Sequence, residues 1–230
     1  MRVLVTGGAG FIGSHIVAGL HAKGIEVAVL DNLSTGKKKN LPDSVKIFQV
    51  DLRDRDRVFE VFREFRPTCL SHQAAQVSVK VSVDDPLTDA SVNLIGGINA
   101  LDAARSVDVQ RVVFASTGGA IYGEVPDGQR AVENWPHRPK SPYAASKASF
   151  EYYLEVYKQN YALDYTVLRY ANVYGPRQDP NGEAGVVSIF IDRLGQGQQV
   201  SVFAKKTTGD GGCVRDYVFV TDVAAANLLA

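Results

Sequence analysis

Arg2-Val3-Leu4-Val5-Thr6-Gly7-Gly8-Ala9-Gly10-Phe11-Ile12-Gly13 is the stretch on which the fold turns. Residues 2–5 form a short apolar, β-branched run, glycines begin at Gly7, and residues 13–23 follow with helical period. The glycines fit two frames: Gly7, Gly10 and Gly13 give G-x-x-G-x-x-G, while Gly8, Gly10 and Gly13 give G-x-G-x-x-G. In either frame they permit a tight turn and close approach of the backbone to a pyrophosphate. The start of the helix offers free N–H groups and the positive end of its dipole to that anion. Glycine turns are common, so context decides. Here a strand precedes, a helix follows, and Asp31 ends a second strand roughly 20 residues on. A carboxylate there accepts hydrogen bonds from both ribose hydroxyls and repels a 2′-phosphate. The expected cofactor is therefore NAD rather than NADP. The nearby Lys37-Lys38-Lys39 reads as a solvated loop.

Outward from this turn, short apolar runs alternate with longer helix-period segments, the pattern of a parallel α/β sheet. Strands are expected at 2–5, 26–30, 46–50, 68–72, 111–115 and 165–169, and helices at 13–23, 54–65, 87–106 and 142–161. Pro142 suits a first helical turn. Two longer connections, 123–140 and 175–183, are rich in Pro and Gly and lie where α/β proteins keep their substrates. Beyond them come an apolar helix at 186–194, a short strand at 199–203 and an extended run at 216–220. The chain then stops at Asn227-Leu228-Leu229-Ala230, inside what reads as the start of a helix. The fold class is thus α/β, a Rossmann-type doubly wound parallel sheet whose small C-terminal substrate-binding part reads as truncated. Residues 1–174 form the expected cofactor domain and 175–230 a partial substrate region.

Composition narrows the function. Lys+Arg and Asp+Glu both number 25, so no global field favours nucleic acid or an anionic membrane. No apolar stretch approaches the roughly 20 residues that a membrane span needs, and the N-terminus leaves no room for a secretion signal. Cys69 and Cys213 lack metal spacing and read as reduced thiols of a cytoplasmic protein. His15, His21, His72 and His137 are scattered, without a carboxylate at ligand spacing, so no metal is expected.

Tyr143-Ala144-Ala145-Ser146-Lys147 puts a phenol and an ammonium on one face of a helix. A phenol titrating near 10 is a poor base at neutral pH. A neighbouring cation favours the phenolate, which then accepts a proton from a substrate hydroxyl while hydride leaves the same carbon. Ser116-Thr117, at the end of an earlier strand, supply hydroxyls able to orient the substrate oxygen.

The segments TGGAGFIGSH (6–15), VLDNLSTG (29–36), VDLRD (50–54), HQAAQ (72–76), ASTGGAIYGE (115–124), SPYAASK (141–147) and LRYANVYGPRQDP (168–180) together resemble the extended short-chain dehydrogenases/reductases. Within them, the chain is most similar to the UDP-glucose 4-epimerases and related nucleotide-sugar epimerases. The resemblance implies that Tyr143 is the catalytic base and acid. Lys147 would hold the nicotinamide ribose and tune Tyr143, and Thr117 would orient the sugar hydroxyl. Phe11 and Ile12 would contact the pyrophosphate, Asp31 and Asn32 the adenosine ribose, and Asp51 and Leu52 the adenine. Ala74, Ala75 and Gln76 would line the cofactor channel, with Asn93 beside it and Tyr170 near the carboxamide. Asn172 and Arg215 would reach the diphosphate of the sugar nucleotide.

Relatives that dehydrate or decarboxylate nucleotide sugars usually carry an acid just after the Ser/Thr. This chain has Gly118-Gly119 there, with one residue more before Tyr122-Gly123 than the commonest epimerase pattern. What remains is oxidation followed by reduction, NAD-dependent 4-epimerisation of a UDP-hexose. A 4-reductase or dehydrogenase of the same fold, and an NAD-binding protein without catalysis, stay as alternatives. Which hexose is used, and whether N-acetyl sugars are accepted, the sequence leaves open. The helices at 87–106 and 142–161 imply, through the resemblance, a homodimer.

Overall fold

The computed structural model describes residues 1–180, 185–203, 207 and 212–230. Its order is β1 (Arg2–Thr6), α1 (Phe11–Ala22), β2 (Glu26–Asp31), β3 (Lys46–Gln49), α2 (Arg55–Phe65), β4 (Cys69–His72), α3 (Val79–Asp84) and α4 (Pro86–Ala90). A π turn (Ser91–Ile95) leads into α5 (Gly96–Ser106), then β5 (Arg111–Thr117), α6 (Pro142–Tyr161), β6 (Asp164–Tyr170) and β7 (Asn172–Tyr174). Helix α7 (Val186–Gly195), β8 (Tyr217–Phe219) and α8 (Val220–Leu229) complete it.

Six strands pair in parallel in the order β3-β2-β1-β4-β5-β6. Their residues alternate between two apolar layers. Leu4, Ala28 and Leu30 face one, packed by Val58 and Phe62 of α2, Ala100 and Leu101 of α5, and Phe150 and Leu154 of α6. Val3, Val5, Val27 and Val29 face the other, with Ile16, Val17 and Leu20 of α1 and Ala224 of α8. Burial on both faces is why these strands read as continuous apolar runs. The chain runs from β1 outward to β2 and β3, then returns to β4 on the other side of β1. That reversal opens a crevice at the carboxyl ends of β1 and β4, where such folds bind dinucleotides.

The six expected strands and the helices at α1, α2, α6 and α7 are all present. Three readings need correction. The single helix expected at 87–106 starts at Pro86 and widens into the π turn, where Asn93 turns inward and bonds both Asp89 and the Gln76 backbone. The strand expected at 199–203 is irregular chain without a ladder partner among the described residues, and Val202 and Phe203 are 76% and 82% exposed. Strand β5 runs two residues past Ala115 and carries Ser116 and Thr117 within its pairing to β6, Thr117 opposite Tyr170. Strand β7, which no sequence signal had marked, pairs in parallel with β8. Part of the 175–183 connection lies outside the described residues.

Candidate active site

The glycine turn is built by exclusion. Gly7 has φ +65°, and a methyl group there would lie 2.7 Å from the Ala74 backbone at the end of β4. Methyl groups on Gly10 and Gly13 would lie 3.2 and 2.2 Å from the Gly7 carbonyl oxygen. Gly10 and Gly13 close on the Gly7 peptide and Gly7 closes on the Ala74 backbone, so Gly7, Gly10 and Gly13 form the working frame. Gly8 has a different task, packing on Val29, whose Cγ2 a methyl group would approach to 2.6 Å. Helices α2, α3, α4 and α6 are capped by the side chains of Asp54, Ser78, Asp85 and Ser141. Helix α1 begins at Gly10 with no side-chain cap and no acidic residue in its first turn. Its first N–H groups, at Phe11 and Ile12, keep their field for an anion.

Asp31 is buried at the end of β2. Its Oδ2 accepts from the Ala9 amide at 3.0 Å and its Oδ1 from the Leu33 amide at 2.8 Å. The carboxylate is thereby aimed over the turn, with lone pairs remaining for two ribose hydroxyls. Asn32 donates to Asp51 Oδ2 at 2.9 Å, and Arg53 grips Asp51 through two N–H groups, which holds that carboxyl well below the usual range. Leu52 is buried, and its carbonyl accepts from Asn99. Asp31, Asn32, Asp51 and Leu52 thus form one patch, bound to the glycine turn through Asp31. Lys37, Lys38 and Lys39 are exposed, with Lys37 near Asp179.

Across the crevice, Gln73 follows β4. Its amide donates to Ser71 and to Asn227 of α8, and its carbonyl accepts from the Tyr170 hydroxyl at 3.0 Å. Asn227 also donates to that hydroxyl, at 2.7 Å. Burial pushes the Tyr170 phenol up to about 12. Ala74 and Ala75 continue to Gln76, whose amide nitrogen donates to Asn93 Oδ1 at 2.8 Å.

The threonine comes from the end of β5 and the tyrosine and lysine from the first two turns of α6. Tyr143 faces Thr117, whose hydroxyl favours the phenolate, while burial outweighs it and pushes the phenol up to about 12. Lys147 Nζ donates to the Ala115 carbonyl at 2.8 Å and sits 4.7 Å over the Phe114 ring, so no hydrogen bond joins it to the phenol. Burial pulls the ammonium down to about 8, against the fields of Asp89 and Glu151. The lysine is anchored to β5 first, and its nearness to Tyr143 is set by that strand. Ser116 does not turn toward Tyr143 either. It donates to Glu151, a buried carboxylate that Arg169 of β6 holds through Nε and Nη2. Arg169 also donates to the Tyr122 hydroxyl and the Glu133 carbonyl, both at 2.7 Å, and so fastens the 123–140 connection to the sheet. Glu151 lies four residues after Lys147 on α6, a spacing that marks one helix face and was available as a signal.

Asn172 and Arg215 come together only indirectly. Asn172 donates through its side chain and its backbone to the Asp216 carbonyl, both at 2.9 Å. Arg215 is exposed, and its guanidinium is bonded to the Val214 carbonyl. The second sheet therefore brings Asn172 against the residue next to Arg215, and both side chains are exposed. Among the described residues no cluster of His, Cys, Asp and Glu is suited to a metal, Cys69 and Cys213 are free thiols, and no helix is long and apolar enough to cross a membrane.

A doubly wound sheet with an uncapped glycine turn, a buried carboxylate ending β2 and a Thr–Tyr–Lys group on β5 and α6 defines a dinucleotide-dependent oxidoreductase-type site. Residues 3–230 match the NAD dependent epimerase/dehydratase family, and the chain belongs to it. It is similar to the UDP-glucose 4-epimerase of Thermus thermophilus solved with NAD, at 67% identity and a TM-score of 0.97, over 100% of this chain and 74% of that one. It is also similar to the Thermotoga maritima UDP-glucose 4-epimerase solved with UDP-glucose, at 49% identity and a TM-score of 0.94, over 100% and 72%. The UDP-glucose 4-epimerase of Mycolicibacterium smegmatis is 47% identical over 231 residues, 98% of this chain and 72% of that relative.

The cofactor choice gives a direct test. Asp31→Ser removes the charge that repels a 2′-phosphate and one ribose acceptor. NAD should bind roughly tenfold or more weakly, by about 1.5–3 kcal/mol for hydrogen bonds to a charged group, and the preference over NADP should shrink. Titration calorimetry with both dinucleotides checks this, and an unchanged NAD/NADP ratio would count against Asp31 as the discriminating residue.

Proposed function

We propose that the chain is an NAD-dependent epimerase that inverts C4 of a UDP-hexose of the glucose/galactose type. The observation that carries this reading is the grouping of Thr117, at the carboxyl end of β5, with Tyr143 and a lysine buried on the same helix and anchored to the Ala115 carbonyl. The glycine cradle and Asp31 fit the dinucleotide, with Gly7, Gly10, Phe11, Ile12 and Gly13 at the pyrophosphate. Asn32, Asp51 and Leu52 lie on the adenosine side, and Ala74, Ala75, Gln76, Asn93 and Tyr170 toward the nicotinamide. When bound, NAD supplies a reversible acceptor for hydride.

The residues of the chain handle the proton and the geometry. Thr117 holds the 4-hydroxyl oxygen in line with the Tyr143 oxygen. Tyr143 withdraws the hydroxyl proton as the carbon is oxidised and returns it as the carbon is reduced. Lys147, anchored on Ala115, keeps a positive charge near the phenol and favours its ionised form. Asn172 and Arg215 take the diphosphate. Arginine suits that role because its planar fork matches phosphate oxygens. Gly118 and Gly119 leave no acid for elimination or decarboxylation, so reduction must follow oxidation at the same carbon.

Purified protein incubated with UDP-glucose, UDP-galactose and their N-acetyl forms tests this. Proton NMR should show the C4 epimer with no net rise in absorbance at the NADH band. A stoichiometric rise without epimer would indicate a dehydrogenase, and no reaction with any of the four would overturn the assignment. The same reading makes residues 1–174 the cofactor part and 175–230 the sugar-nucleotide part, in a cytoplasmic protein. It also includes a homodimer. Leu87 and Tyr152 are 81% and 63% exposed, and Val83 and Val156 beside them on α3 and α6 are exposed as well. An apolar face of that kind suits a two-fold helix pairing, and light scattering after size exclusion gives the mass.

A further inference from the structure

Asp89 is a carboxylate that the chemistry above does not use. It lies on α4 and is 0% exposed. Its Oδ1 accepts from Gln76 Nε2 at 3.0 Å and from Asn93 Nδ2 at 2.9 Å, and its Oδ2 accepts from Ser146 Oγ at 2.6 Å. These three donors are neutral, and a buried charge held only by neutral groups is costly to keep. Glu151, the other carboxylate whose field reaches Lys147, is already bound by Arg169. The partners of Asp89 are also distributed between two surfaces. Gln76 and Asn93 belong to the cofactor wall, while Ser146 stands between Tyr143 and Lys147 on α6. The π turn lets Asn93 reach Asp89 and the Gln76 carbonyl at once, and such turns are frequent at functional sites.

We infer that Asp89 is a positioning residue for the proposed epimerisation. Through Ser146 it fixes the turn of α6 that presents Tyr143 and Lys147, and through Gln76 and Asn93 it ties that turn to the cofactor wall. Its negative charge is the counter-charge that keeps Lys147 an ammonium. The groups facing this centre are Tyr143, Lys147 and Glu151 on α6 and His72 on β4, which burial pulls down to about 3 and leaves neutral. Lys80 and Asp84 on α3, and Asp85 before α4, are exposed to solvent.

The sign of its influence follows from Coulomb's law. A negative charge disfavours the phenolate and favours the ammonium, so Asp89 raises both Tyr143 and Lys147. Tyr143 must be ionised to act as base and Lys147 must be protonated to assist it. Neutralising Asp89 therefore moves both limbs of the kcat–pH profile toward acid.

This inference rests on the epimerase reading, so the experiment has one measurement that needs turnover and one that does not. In NAD-bound Asp89→Asn, both limbs are expected to move down by about one pH unit. The phenolate absorbance that disappears on adding Tyr143→Phe should show the same downward shift of its midpoint. Limbs and midpoint coinciding with the wild type, with only the melting temperature lowered, would reduce Asp89 to a packing role and overturn the inference. A wild type that binds NAD without epimerising would sink the reading above, and the absorbance midpoint would still decide Asp89. Should Asp89→Asn not fold, Ser146→Ala keeps the charge and removes one hydroxyl that screens it. Its limbs and midpoint are expected to move toward alkali, and no movement would also overturn the inference.

Discussion

Tyr143→Phe is expected to slow epimerisation by about 10²–10⁴-fold, the usual worth of a positioned acid or base, while NAD affinity stays within a small factor of the wild type. The phenyl ring keeps the packing on α6, and the hydroxyl that faces Thr117 is the only group lost. Burial pushes this phenol up to about 12 and pulls Lys147 down to about 8. With the phenol above the ammonium, the phenolate–ammonium form is a minority at every pH, so the wild-type rate should climb up to about pH 8, stay level, and fall only near pH 12. In Tyr143→Phe the rising limb should vanish, because no base remains to titrate. Initial rates by NMR across pH, with NAD binding measured separately, give both quantities. Full activity in the phenylalanine variant would remove Tyr143 from the chemistry and leave an NAD-binding protein that works some other way.

The second large effect is expected at Gly13. Alanine there would place its methyl group 2.2 Å from the Gly7 oxygen and 2.8 Å from the Gly8 Cα, backbone atoms that cannot yield without opening the turn. Forcing an extra methylene into packed surroundings costs about 1–3 kcal/mol. Any opening also pulls the first amides of α1 away from the pyrophosphate. Gly13→Ala should lower the melting temperature and weaken NAD binding by roughly tenfold or more, at 1.4 kcal/mol per decade. Gly10→Ala provides the contrast. Its methyl group would meet only the Gly7 oxygen, at 3.2 Å, so the fold should tolerate it. NAD affinity lost at Gly10 without loss of stability would then report how closely the pyrophosphate approaches. Equal stability and affinity in Gly13→Ala and the wild type would mean that the turn is not the cradle described.

Much of this was legible in the residues. Buried parallel strands leave continuous apolar runs, so β1, β2, β4, β5 and β6 could be placed within a residue or two. Helices with a clear start, such as Ser141-Pro142, were placed at their boundaries. The glycine turn and Asp31 were readable because a single local rule governs both. Longer-range features were hidden. Residues 199–203 carry strand-like side chains, yet a strand exists only if an edge is there to pair with it. Arg169 sits inside a strand whose neighbours are apolar, and only the fold shows Glu151, Tyr122 and the Glu133 carbonyl gathered around it. Asp89 looked like one more polar residue on a helix. Its burial depends on Gln76 arriving from β4 and Ser146 from α6, which no local window contains. Asn227 was invisible for the same reason, since its task is to hold Tyr170, 57 positions earlier. The anchoring of Lys147 on the Ala115 carbonyl of β5 depends equally on how α6 docks.

The two glycines after Thr117 are not equivalent, and the difference bears on how catalysts of this kind diverge. Gly118 donates its amide to the Tyr170 carbonyl, and a methyl group on it would lie 2.9 Å from the Arg169 oxygen. Gly119 has open space, its nearest neighbour being the Asn172 amide at 4.0 Å. The same scaffold thus forbids a carboxylate at one position and admits it at the next. A lineage, or a designer, seeking elimination chemistry from this chain has one vacant address, a single codon past the position that the backbone has closed.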